Sequence, residues 1–338
     1  MPKYQSCKWI EHGMVLDFMN TVRFCSNANP GHGGRPLIFE NFCGENINWE
    51  EFFKYQNKIR EKFRNGEPIE ECKNCIGFEC KEWNQENYID ELLITPWHEC
   101  NSKCTYCGVH QDEYFKGKSK KYNVYNLVKN MVKNNILKKD GVMDFAGGEP
   151  TLSPYFEKTL NLFIDEGFLN IVVHTNAIKH SRAIEKGIKK GAVNILVSID
   201  AGTKEVHEKV KGVKTFDKVW KNLKTYAKVQ QKPYRQVKAK FIVVPGINDT
   251  KEEIDLWLQS CFTIGIKYVV LNLDFNWLNK NIDNIDLNLY DLMKYTIAEA
   301  EKLGITCELY GQMFQLKSIV ENSREKNEAG FHYNKLES

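Results

Sequence analysis

No run of eighteen apolar residues occurs in this chain of 338 residues, so no segment is expected to cross a membrane as a helix. Charge of one sign is missing too. Lys and Arg number 47 against 44 Asp and Glu, a net +3, and no basic block marks a nucleic-acid partner. The short stretch Lys116-Gly-Lys-Ser-Lys-Lys121 reads as a solvated loop rather than a phosphate track. There is no low-complexity segment and no repeat beyond a strand–helix unit. The first residues, Met1-Pro-Lys-Tyr-Gln-Ser-Cys7, show no apolar signal region. A reducing, cytoplasmic compartment is the expectation, with neither membrane nor nucleic acid as partner.

Cysteine is what the chain does have, eleven in all. In a reducing compartment metal ligation is favoured over disulfides. Three of them lie in Cys100-Asn-Ser-Lys-Cys104-Thr-Tyr-Cys107, just after the strand-like run Leu92-Leu-Ile-Thr-Pro-Trp97. Thiolates so spaced can converge on one soft site, zinc or iron–sulfur. A four-iron cluster held by three cysteines leaves one iron open, as sites that do chemistry require. The alternative is a structural zinc that borrows His98 or His110.

From residue 90 the pattern is strand, loop, helix, repeated. Strands are expected near 90–96, 141–145, 169–174, 193–199, 236–244 and 266–273. Helices are expected near 122–137, 153–166, 181–190, 215–230, 250–263 and 286–303. Most open on a capping residue, Ser153, Ser181, Thr215, Asp249 or Thr250, and Asp286. Such alternation predicts a parallel sheet with right-handed crossovers. The fold class is thus α/β, a partial (β/α)6 TIM-like barrel over 90–311. A further strand, Ile305–Tyr310, flanks it, and 312–338 form a helix and a loose tail. Residues 1–89 differ: β-like runs at 14–18 and 21–24, a helix over 49–63 with Phe52, Phe53, Gln56, Ile59 and Phe63 on one face, then Cys72-Lys-Asn-Cys75-Ile-Gly-Phe-Glu-Cys80. They form a small cysteine-rich α+β module.

The loop Cys100–Cys107, with Tyr106 before its last cysteine, and the motif Gly147-Gly148-Glu149-Pro150 about forty residues on together resemble the radical S-adenosylmethionine (SAM) enzymes. The resemblance covers roughly residues 90–275. It implies a [4Fe–4S] cluster on Cys100, Cys104 and Cys107, and reductive cleavage of SAM to a 5′-deoxyadenosyl radical that takes hydrogen from a substrate. It also implies an electron donor such as flavodoxin or ferredoxin. Gly147, Gly148, Glu149 and Pro150 would hold the SAM ammonium, Ser198 and Asp200 the ribose, Val244 and Pro245 the adenine. Tyr106, Thr175 and Asn176 fall on the same rim, since barrel active sites lie at the C-terminal ends of the strands. Plain turns and strand-end caps are the alternative readings of these residues. Lys238 and Lys240 face either the barrel interior or solvent.

The N-terminal Cys25, Cys72, Cys75 and Cys80 resemble a Twitch or SPASM module, which implies a second, auxiliary [4Fe–4S] cluster. Cys43 rivals Cys25 as a ligand, and a four-cysteine zinc knuckle fits the spacing equally. The expected activity is hydrogen abstraction from a small polar, sugar- or cyclitol-like substrate, leading to oxidation, with Asp274 as base. Epimerisation with Cys307 or Cys261 as hydrogen donor is an alternative, as is peptide or protein maturation. A non-enzymatic iron–sulfur carrier or zinc-stabilised binding module would leave Gly147–Pro150 unexplained.

Overall fold

The helices start where the sequence offers an acceptor for their first amides. Asn48, Ser181, Thr203 and Thr250 each accept from the backbone N–H three residues on, the usual N-cap bond. The computed structural model describes residues 3–17, 21–26, 38–39, 46–67, 69–72, 75, 77–108, 123–231, 236–281, 287–311, 313 and 316–321. Cys43, His110, the lysine stretch 116–121, Asp286 and the tail lie outside them.

All six expected strands form, as Ile89–Thr95 (β6), Leu137–Phe145 (β7), Ile171–Thr175 (β8), Val193–Ser198 (β9), Val237–Val243 (β10) and Tyr268–Leu273 (β11). Five shorter ones precede them: Lys3–Ser6 (β1), Gly13–Asp17 (β2), Val22–Arg23 (β3), Ile38–Phe39 (β4) and Glu79–Glu82 (β5). Thr306–Leu309 (β12) follows. The helices are Lys8–His12 (α1), Trp49–Arg64 (α2), Val124–Lys133 (α3), Phe156–Asp165 (α4), Arg182–Lys189 (α5), Lys204–Lys211 (α6), Phe216–Val229 (α7), Lys251–Thr263 (α8), Phe275–Lys280 (α9) and Leu287–Lys302 (α10). The helix expected over 122–137 stops at Lys133. Asn135 adopts φ 53°, a left-handed turn that Asn tolerates, and Leu137 already belongs to β7. Helices α6 and α9 were not expected; both are short and lie directly behind a strand end.

The chain forms two compact units. The first comprises Met1–Asn101, Cys107–Leu196 and Val229–Gln231; the second comprises Ser102–Tyr106, Val197–Lys228 and Lys232–Ser338. In the first, β8, β7, β6 and β2 are neighbours in one parallel sheet, and β2 turns back antiparallel to β3 and then β4. β2 and β3 therefore continue the sheet of the βα units. β1 and β5 make a separate antiparallel pair. Phe52, Phe53, Gln56 and Ile59 of α2 are buried as the spacing requires. Phe52 stacks on Phe24 at 4.9 Å and meets Phe39 edge-on at 5.4 Å. Each such ring withdrawn from water contributes roughly 1.5–3 kcal/mol. In the second unit β10, β11 and β12 run parallel, and Ile199 N, just past β9, donates to Lys240 O. With helices between successive strands, this is the partial TIM-like α/β architecture.

Candidate active site

In the first unit, Gly147-Gly148-Glu149-Pro150 follows β7. Gly147 has φ +100°, and a Cβ on Gly148 would lie 2.4 Å from Glu99 O. Only glycine permits both the dihedral and the approach. The pair thus packs against the backbone leading into the cysteine loop: Gly148 N donates to Trp97 O at 3.3 Å and Glu149 N to Glu99 O at 2.8 Å. Glu149 is 1% exposed. Its Oε1 accepts from Thr151 N (3.2 Å), Thr151 Oγ1 (2.7 Å) and Thr175 Oγ1 (2.8 Å), and its Oε2 from Asn176 N (2.7 Å). Burial raises its pKa while these bonds oppose the rise. The expectation that this carboxylate receives the SAM ammonium meets a side chain already holding four protein donors. Asn176 continues the chain of contacts, with Nδ2 2.7 Å from Asn101 Oδ1 and 3.7 Å from Cys100 Sγ.

In the second unit, Asp200 follows β9 at φ 60° and is fully buried. Its Oδ2 accepts from the Tyr106 hydroxyl at 2.6 Å and pairs with the Lys211 ammonium; its Oδ1 accepts from Ile242 N at 2.7 Å. Lys211, 2% exposed, also donates to Tyr106 Oη at 2.9 Å. The Tyr106 ring packs against Val210, Ile242 and Val244. Burial first, then the Asp200 charge, pushes the Tyr106 pKa well up. Backbone bonds join the same pieces: Lys103 N to Lys211 O at 2.8 Å and Thr105 N to Val210 O at 2.9 Å. A Cβ on Gly212, at φ +65°, would lie 2.9 Å from Lys103 O. Asp200, expected as a ribose acceptor, also anchors the cysteine loop, and Lys211, its counter-ion, was missed. Lys211 sits in a short lysine-rich helix whose sequence reads as a solvated face.

Val244 closes the turn after β10 and is buried, with Pro245 beside it half-buried. Asn248 ties that turn down, accepting from Val244 N at 2.6 Å and donating to Asp200 O and Ile242 O at 2.9 and 2.8 Å. Ser198 is half-buried at the end of β9. Asp274 caps α9, accepting from Asn276 N at 2.9 Å, and burial raises its pKa. On β10–β12, Lys238, Tyr268 and Glu308 share one face: Tyr268 Oη donates to Glu308 at 2.8 Å and Lys238 Nζ lies 4.3 Å from the Tyr268 ring. Cys307 points to the opposite face, because strand side chains alternate, and burial pushes its thiol up to about 12. That orientation removes Cys307 as donor to anything bound on the Lys238–Tyr268–Glu308 face. Cys261 is fully buried in α8.

The ten described cysteines carry no disulfide. Among the described residues no three His, Cys, Asp or Glu side chains gather closely enough to hold a metal ion. By chemistry, however, the donors suit an iron–sulfur cluster. Cys100, Cys104 and Cys107 are half-buried thiols on one loop, and the Asn176 amide beside Cys100 supplies a donor toward sulfur, as outer-shell groups do. Cys25, Cys72 and Cys75 are half-buried as well, whereas Cys80 is exposed.

Residues 94–258, just under half of the chain, match the model of the Radical SAM superfamily, and this segment is a radical SAM domain. A protein of Saccharolobus islandicus named as a probable GTP 3′,8-cyclase is 26% identical over 186 residues, covering 54% of this chain and 56% of that relative. The chain thus spans about half the length of such relatives. A similarly named protein of Sulfurisphaera tokodaii is 22% identical over 233 residues, 69% of this chain and 71% of that one. Among solved structures, SuiB of Streptococcus suis superimposes with a TM-score of 0.53 at 15% identity, over 82% of this chain and 58% of SuiB, a likeness of fold. No described helix is long and apolar enough to cross a membrane.

Proposed function

We propose that this chain binds a [4Fe–4S] cluster through Cys100, Cys104 and Cys107, cleaves SAM reductively, and abstracts hydrogen from a polar substrate. The observation that carries the reading is the double anchoring of the cysteine loop. Asn176 holds its start at Cys100 and Asn101, and the buried Tyr106–Asp200–Lys211 group holds its later part. Fixed loops suit chemistry that tolerates little misplacement. When bound, the cluster and SAM supply the 5′-deoxyadenosyl radical. The chain's own residues hold the loop and keep Glu149 and Asp200 away from water.

For the outcome, oxidation is favoured over epimerisation. The carbon radical would lose one electron and one proton, with the electron passing to a second cluster on the N-terminal cysteines. Cys307, a candidate donor for epimerisation, lies in register with the buried Val269, which supports oxidation. The sugar- or cyclitol-like class draws no support from the relatives, whose names point to GTP. Peptide maturation remains the second reading, favoured by the fold shared with SuiB, which has been seen bound to its precursor peptide SuiA.

The test is anaerobic reconstitution, reduction with dithionite and measurement of 5′-deoxyadenosine. The intact chain should form it, and the variant with Cys100, Cys104 and Cys107 all changed to Ala should not. Equal yields from the two would refute the assignment. Adding GTP, cyclitols or short cysteine-containing peptides in turn identifies the substrate class by which one accelerates SAM consumption.

A further inference from the structure

Helix α7 carries Lys218, Lys221, Lys224 and Lys228 but a single acidic residue, Asp217. In a chain whose charges nearly balance, 47 against 44, that is a local excess. At about 100° per residue the four lysines fall within roughly 120° of the helix circumference, so they form one stripe. All four are exposed, while Val219, Leu223, Tyr226 and Ala227 are buried on the opposite side. The ion pairs nearby use other lysines: Lys204 pairs with Asp217 at 2.7 Å and Lys214 with Glu208 at 3.5 Å. Among the described residues the four stripe lysines have no acidic partner. The fold leaves their charge unneutralised.

The stripe is tied to the cysteine loop through α6. Asp217 joins the start of α7 to Lys204 at the start of α6, and His207 of α6 meets the Phe216 ring at 5.5 Å and Thr215 Oγ1 at 3.3 Å. The far end of α6 holds the loop, with Lys103 N and Thr105 N donating to Lys211 O and Val210 O. An eight-residue helix is about 12 Å long, so the stripe begins one short helix away from the residues around Cys104, within the same compact unit. Lys209 on α6 and Lys103 on the loop, both exposed, extend the positive charge towards the cysteines.

We infer that the α7 stripe, continued by Lys209 and Lys103, is the docking surface for an acidic protein carrier that delivers single electrons to the cysteine-loop site. This rests on the reading that Cys100, Cys104 and Cys107 hold a cluster that cleaves SAM. The transfer makes and breaks no bond: the carrier loses one electron and the cluster gains it. Such a partner must arrive, deliver and leave in every turnover. Exposed charges at an interface rim raise the association rate more than the affinity, and electron-transfer encounters are small and weak. Lysine suits this use, being a hydrated point charge on a flexible stem rather than a planar fork that locks onto carboxylates. A membrane does not fit, because an interfacial helix puts its apolar face into lipid and that of α7 is buried in the core. Single-stranded nucleic acid does not fit either, since the exposed residues of α7 include no arginine and no aromatic ring on which bases could stack.

The experiment uses the full chain after anaerobic reconstitution, with an acidic flavodoxin and, separately, an acidic [2Fe–2S] ferredoxin as probes. One variant carries Lys218→Glu, Lys221→Glu, Lys224→Glu and Lys228→Glu; a companion carries Lys→Arg at the same four positions. Binding of each labelled carrier is measured by fluorescence anisotropy at low and at high salt. The parent should bind at least one carrier, more weakly as salt rises. The Glu variant should bind roughly tenfold more weakly or worse, and the Arg variant should bind like the parent. The yield of 5′-deoxyadenosine with reduced carrier should fall in step in the Glu variant, whereas the yield with dithionite, which needs no docking, should stay at the parent level. Unchanged binding in the Glu variant, an equal fall with dithionite, or a parent that binds neither carrier would overturn the docking surface. Capture of duplex DNA or of anionic lipid vesicles through the same lysines in the carrier's place would overturn it too. A parent that binds a carrier yet makes no 5′-deoxyadenosine with dithionite would instead overturn the cluster reading on which it rests.

Discussion

The Tyr106 hydroxyl donates to Asp200 Oδ2 at 2.6 Å, across ninety-four residues of sequence. This bond fastens the aromatic residue of the cysteine loop to a carboxylate that also neutralises a buried lysine. The residue expected to touch ribose thereby also positions the loop.

Asp200→Asn should therefore destabilise the chain strongly. It leaves Lys211 charged, buried and without its counter-ion, a loss of about 3–5 kcal/mol. Adding Lys211→Met should restore much of it. Chemical denaturation of the single and double variants measures this, and a double variant no more stable than Asp200→Asn would show that the ion pair is not the source.

Glu149→Gln should act on two loops at once. The carboxylate accepts from four donors, and an amide turns one of those positions into a donor facing a donor. Hydrogen exchange of the Thr151 and Asn176 amides should quicken by at least tenfold. Unchanged protection at both would show that the four bonds are not holding these loops.

His12 makes the first unit sensitive to acid. Burial, and then the Arg60 charge, hold its pKa down to about 4, from an ordinary 6.5. Between those values the unfolded chain binds the proton and the folded chain does not. The contribution of neutral His12 is thus intact above pH 6.5 and lost as pH falls towards 4. His12→Gln should flatten the stability–pH curve in that window relative to the parent. Parallel curves for the two proteins would contradict the assignment.

Cys307→Ala should leave SAM cleavage and any solvent-deuterium pattern of the product unchanged. With its thiol pushed up to about 12, Cys307 should also resist iodoacetamide at pH 8 long after the exposed Cys80 has reacted. Loss of product deuterium in Cys307→Ala would favour epimerisation over oxidation.

Residue order by itself determined the six βα units and the core face of α2. Hydrophobic period and capping are local properties, so they survive without knowledge of the fold; the cysteine loop and Gly147–Pro150 are contiguous and legible for the same reason. Only the tertiary structure decided what those residues touch. The resemblance implies SAM contacts for Glu149 and Asp200, but it is silent on their protein partners. Their partners, Thr175 and Asn176 for one, Tyr106 and Lys211 for the other, arrive through packing. Lys211 hid in a helix with a solvated pattern. Long-range pairings such as β2 beside β6 and β1 beside β5 depend on which buried surfaces fit together, and that information is spread over the whole chain.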